Sequence, residues 1–132
     1  MIISINITAM EQNTKVDIEY VESFYNALRQ GKFTDPDKFA EYFIDHVMNI
    51  ALCERYIAYA KLLKGLAGSI LVTSNRYVND RDKILFSSVI RFCNMILDAD
   101  NFDQNHFYMD LRSTTYNELY GLGNRGQDLA MG

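Results

Sequence analysis

The stretch LCERYIAYAKLLKGLAGSI, residues Leu52 to Ile70, decides the fold. In it Leu52, Tyr56, Tyr59, Leu63, Leu66 and Ile70 follow alternating steps of four and three, the heptad spacing of a helix seam. Between Ile50 and Val72 the charged residues are Glu54, Arg55, Lys61 and Lys64, while Cys53, Ala60, Leu62 and Ala67 flank the seam. A helix apolar over most of its circumference is one that other helices surround. The expectation is a mostly α fold, a compact bundle of four to five helices around this central buried helix. Ala58 and Gly65, one heptad apart, would let a neighbouring backbone approach closely, and the six seam residues are also the expected self-association surface.

The segments on either side read as further helices. Thr14 is placed to cap a helix whose stripe is Ile18, Val21, Tyr25 and Leu28 and which stops before Gly31, a residue suited to the left-handed C′ position. Thr34-Asp35-Pro36-Asp37 sets a capping residue before a proline at the first helical position, with acidic groups at the positive end of the dipole. The helix it opens carries Phe39, Phe43, Val47 and Ile50 on one face and Lys38, Glu41 and Asp45 on another. Glu54 lies half a turn from that polar face, so either the helix breaks near Asn49–Cys53 or both of its sides are buried. Asn79 or Asp80 starts a helix with a polar stripe of Ser87, Arg91, Asn94 and Asp98 against Leu85, Phe86, Val89, Ile90, Cys93, Ile96 and Leu97. After a loop over 98–105, a last helix to about Tyr120 presents Phe107, Leu111 and Leu119 to the core. Gly121-Leu122 reads as its C-cap and hydrophobic contact.

Two segments resist a helical reading. Ile3, Ile5 and Ile7 alternate with Ser4, Asn6 and Thr8, which predicts a short N-terminal strand. Such a strand needs a partner, either residues 69–78, where β-branched residues follow Gly68, or the same strand of a second subunit. The tail 121–132 holds four of the seven glycines and is expected to be flexible, which leaves 1–120 as a single domain.

Composition narrows the compartment and the class. The chain of 132 residues is 48% hydrophobic and 23% charged, ordinary values for one folded domain. No apolar run reaches the roughly 20 residues of a membrane span, and the N-terminus has no signal-peptide pattern. Cys53 and Cys93 sit in apolar helical patterns as small hydrophobes, which suits a cytoplasmic, thiol-reducing setting. The net charge of −4 disfavours nucleic acid as a partner. Its distribution is uneven: residues 1–54 carry −5, residues 55–97 carry +5 and residues 98–132 carry −4. That acid–base–acid pattern suits a fold, or an oligomer, in which the middle faces the ends.

Motifs for chemistry fail on context. Gly121, Gly123 and Gly126 match G-x-G-x-x-G, but the motif follows a helix where a dinucleotide fold needs a strand. Asp98, Asp100 and Asp103 resemble a calcium loop. However, Phe102 takes its fifth position, Asp103 its turn glycine and Met109 its bidentate acid, so helix capping is the better account. His46 and His106 are too few for a transition-metal site, and His46 reads as a partly buried structural histidine. No nucleophile elbow is present, and no cofactor or catalytic residue is indicated.

The aromatic residues, 9 Tyr and 8 Phe, mostly fall on core stripes. The exception is Tyr108, Arg112, Tyr116 and Tyr120, which repeat every four residues, with Arg125 just beyond. Tyr and Arg dominate interface hot spots, so this face is the expected partner-binding surface. The leading expectation is a non-enzymatic interaction protein that binds a partner macromolecule as a homo-oligomer. The alternatives are a binder of a phosphorylated or nucleotide ligand, through Arg55, Lys61, Lys64, Arg76, Arg81, Lys83 and Arg91 or the Tyr/Arg face, and an enzyme without a recognisable motif. Ile, Asn, Tyr, Phe, Met and Lys make up 52 of 132 residues, an AT-rich coding bias consistent with a phage or mobile-element accessory protein that inhibits a host factor.

Overall fold

A computed structural model describes residues 15–31, 33–73, 80–98, 100 and 102–122. Of these, 84% are helical and none forms a strand. The expected strand Ile2–Thr8, the cap Thr14, Arg76, residues 74–79 and the tail from 123 onward, Arg125 included, lie outside the described residues.

Helix α1 (Ile18–Gln30) begins at Asp17, whose carboxylate accepts from the Tyr20 amide at 2.8 Å. An ionised cap both satisfies an orphan donor and meets the positive end of the dipole, and it starts the helix three residues after Thr14. Val21, Phe24, Tyr25 and Leu28 are buried, while Ile18, in the first turn, is 58% exposed. Gly31 ends α1 at φ 62°, ψ 36° and donates its amide to Ala27 O.

Helix α2 (Pro36–Leu52) is capped by Asp35 with Pro36 in the first turn, as its sequence predicts, and buries Phe39, Phe43, Val47 and Ile50 together with Ile44. It breaks at Cys53, whose extended backbone turns the chain into α3 (Tyr56–Thr73). The phase slip at Glu54 is therefore a helix boundary. As a result Leu52 belongs to α2, where it is 47% exposed.

The buried face of α3 is Ala60, Leu63, Ala67 and Ile70, with Tyr56, Tyr59 and Leu66 half-buried beside it. The expectation of a central helix surrounded on all sides is corrected by the opposite face. Ile57 is 45% and Val72 75% exposed, and Ala58 and Gly65 are exposed as well. A Cβ placed at Gly65 or Gly68 would have no atom within 4 Å. Among the described residues, therefore, no neighbouring backbone packs against Gly65 or Gly68. The helix continues through residues 69–73 despite their β-branched content, with Ile70 buried and Val72 exposed.

Helix α4 (Asp80–Leu97) makes the most extensive contact with α3 and buries Leu85, Phe86, Val89, Phe92, Cys93 and Ile96, leaving its polar stripe exposed. Helix α5 (Gln104–Thr114) is capped by Asp103, which accepts from the amides of Asn105 and His106 at 3.0 and 3.1 Å. It widens into one π-helical turn, Thr115–Leu119, and Gly121 then turns the chain at φ 94° to bury Leu122. Phe43 of α2, Phe92 of α4 and Phe107 of α5 form a continuous ring contact, with centroids 6.3 and 5.9 Å apart, which joins three helices through one core. Among the described residues no helix is long and apolar enough to cross a membrane.

Candidate functional site: a tyrosine ladder on α5

Tyr108, Arg112, Tyr116 and Tyr120 do share one face, and the fold sets that face against the acidic stripe of α2. In an α-helix residues four apart drift by about 40°. The π turn corrects the drift, because i→i+5 bonding takes more residues per turn. Tyr116 and Tyr120 come into register, with ring centroids 5.5 Å apart at 31°. The turn is held from within by Thr115, fully buried, whose hydroxyl donates to Leu111 O at 2.6 Å.

Each member of the ladder is tied down. Tyr116 donates to Glu41 Oε1 at 2.7 Å, and Tyr120 is hydrogen-bonded to Asp37. Bonding to a carboxylate raises both phenol pKa values above the usual tyrosine range. The Arg112 guanidinium lies 5.1 Å from the Tyr116 ring centroid, 4.0 Å from Glu41, and donates to Tyr108 Oη at 3.5 Å. The rings nevertheless stay accessible: Tyr108 is 36% and Tyr120 45% exposed. Such half-exposed ion pairs add little stability. Asp45, one turn beyond Glu41, has its pKa raised by partial burial and by Glu41, so its charged form is disfavoured there.

Other predicted groups are used differently. Leu63 and Ile70 of the seam are buried in the protomer's own core. Of the basic middle segment, Arg91 donates through Nη2 to both carboxylate oxygens of Asp110 at 2.9 and 2.7 Å and through Nη1 to Thr114 Oγ1 at 3.3 Å. Arg81 is 5% exposed and donates through Nη2 to Leu28 O at 3.1 Å, a cation on the C-terminus of α1. Arg55, Lys61, Lys64 and Lys83 remain exposed.

His46 is partly buried and lies parallel to Tyr42 at 4.0 Å and Phe24 at 5.3 Å, while its Nδ1 donates to Tyr42 O at 2.9 Å. Burial lowers its pKa, against the opposing effects of that hydrogen bond and of Asp45. Burial also pushes the Cys93 thiol up to about 12, so it stays protonated at neutral pH. An open pocket of about 240 Å³ lies between the end of α4 and the start of α5, lined by Met95, Asp98, Phe102, Asp103, His106 and Phe107. Among the described residues no three His, Cys, Asp or Glu side chains are arranged to hold a metal ion.

Asp37, Glu41 and Thr115 are the members of the site that sequence reasoning missed. The i, i+4, i+8 spacing of Asp37, Glu41 and Asp45 is visible in the sequence, but nothing local says that α5 lies along it. No protein-family model matches the chain, and comparison with curated proteins and with solved structures gives no match.

Proposed function

We propose that the protein is a non-enzymatic interaction protein that docks a macromolecular partner on the tyrosine ladder. The observation that carries this reading is the ladder itself: Tyr and Arg side chains on one accessible face, with Tyr116 and Tyr120 bonded to α2 carboxylates and Arg112 set between Tyr108, Tyr116 and Glu41. Side chains ordered before binding lose less entropy on docking, and Tyr and Arg are the residue types that contribute most at interfaces. The free cysteines, Cys53 and Cys93, support a reducing, cytoplasmic setting.

The test is affinity capture from the native host with the wild-type chain and with a Tyr108→Ser, Tyr116→Ser, Tyr120→Ser variant whose helicity is checked by circular dichroism. The expected result is a macromolecule retained by the wild type and lost from the folded variant. Identical captured sets would contradict the reading.

A further inference from the structure

We propose that the ladder's partner is a second copy of this chain, and that the exposed face of α3 is what docks there, head to tail. The inference rests on the reading of the ladder as a docking surface. Helix α3 is apolar almost all round, yet one face is open, with Ile57 at 45% and Val72 at 75% exposure near its two ends. A face of that composition is normally covered. Among the described residues nothing lies within 4 Å of a Cβ placed at Gly65 or Gly68 on this side, so no described contact requires glycine there. Bare backbone at these positions gives the flat surface on which a tyrosine ring can lie.

Charge selects the occupant. The open face carries Lys61 and Lys64, with Arg55 just before the helix, against Glu54 alone. The ladder is bordered by Asp35, Asp37 and Glu41 against Lys38 and Arg112, and Arg112 is already paired with Glu41. Pairing the two surfaces brings unlike charges together and sets ammonium groups near tyrosine faces, as Arg112 already lies on Tyr116. Their lengths agree: Ile57 to Val72 spans about 22 Å and Tyr108 to Tyr120 about 18 Å at the rise of a helix. A two-fold contact of α3 on α3 would place Lys61 and Lys64 against their own copies. The contact pairs unlike surfaces and each protomer offers one of each kind, so copies joined head to tail add into a ring or a chain.

Sedimentation velocity tests this on the full chain from low to high micromolar concentration, at low and high salt. The wild type is expected to grow beyond a dimer with concentration and to shrink with salt. Lys61→Glu with Lys64→Glu, and separately Asp37→Lys with Glu41→Lys, should each weaken association by tenfold or more. Mixed in equal amounts, the two variants should regain association, because the reversed surface of each complements the reversed surface of the other as the unaltered surfaces do. Gly65→Leu, which meets open space in the protomer, should also block growth and does not depend on charge. A wild type that is monomeric throughout, a dimer insensitive to these substitutions, or a mixture that stays monomeric would overturn the proposal. Loss of captured partner from the serine variant alongside a monomeric wild type would leave the ladder reading intact and reject this one.

Discussion

Arg81 takes the place of solvent at the C-terminus of α1. Its Nη2 satisfies Leu28 O, and its guanidinium closes over Gly31, where a Cβ would stand 2.9 Å from Nη2. Arg81→Met is expected to cost about 1–3 kcal/mol, because it leaves a buried carbonyl without its donor. Gly31→Ala should cost about 1–2 kcal/mol for the left-handed backbone alone, with the contact to Arg81 added. Urea denaturation measures both. His46 gives the pH dependence. Its folded pKa lies below the unfolded value, so stability is complete while the ring is neutral in both states. Stability then falls as pH drops through about 6.5 toward the lower folded value. His46→Gln should flatten the decline in Tm between pH 7 and 5, and an unchanged slope would remove His46 as its source. Asp45 acts in the opposite sense, since its raised pKa disfavours the folded state as pH rises through the carboxylate range. At this scale the sequence shows what a residue is but not what lies across from it. Arg81 reads as one of seven middle cations, and only the approach of α4 to α1 makes it a cap.

At the scale of elements, most boundaries were legible because their causes are local. Asp35-Pro36 and Gly31 act through their own backbone, and α2 and α1 start and stop there as predicted. The heptad seam misled because a perfect four-three spacing runs across a helix break: Leu52 precedes the turn at Cys53, and Tyr56 opens the next helix. The true buried row of α3 uses two alanines, Ala60 and Ala67, which a search for large apolar residues passes over. The π turn was invisible for a related reason, since it is sustained by Thr115 bonding to Leu111 inside the core. Glycine within a helix interior costs about 0.5–1 kcal/mol relative to alanine. Because nothing lies within 4 Å of either site, Gly65→Ala and Gly68→Ala should each raise the stability of the monomer by about that much. A loss of stability in dilute thermal melts would mean that these sites are packed.

At the scale of the whole molecule, one aromatic core through Phe43, Phe92 and Phe107 fixes how α2, α4 and α5 meet, and so fixes the ladder against Glu41 and Asp37. Phe92→Ala should cost about 3–5 kcal/mol and abolish ladder and fold together. Tyr116→Phe removes one exposed bond to Glu41 and should leave the fold intact while loosening the ring. The expected working face was legible from its four-residue repeat, but its acidic border and the open side of α3 appear only once the helices are assembled. Hydrogen exchange, compared between dilute and concentrated protein, tests most directly whether these two faces meet. Slower exchange with rising concentration is predicted in residues 57–72 and 108–120, with the rest of the described chain unchanged. Concentration-independent exchange in both segments, or protection confined to other helices, would contradict it.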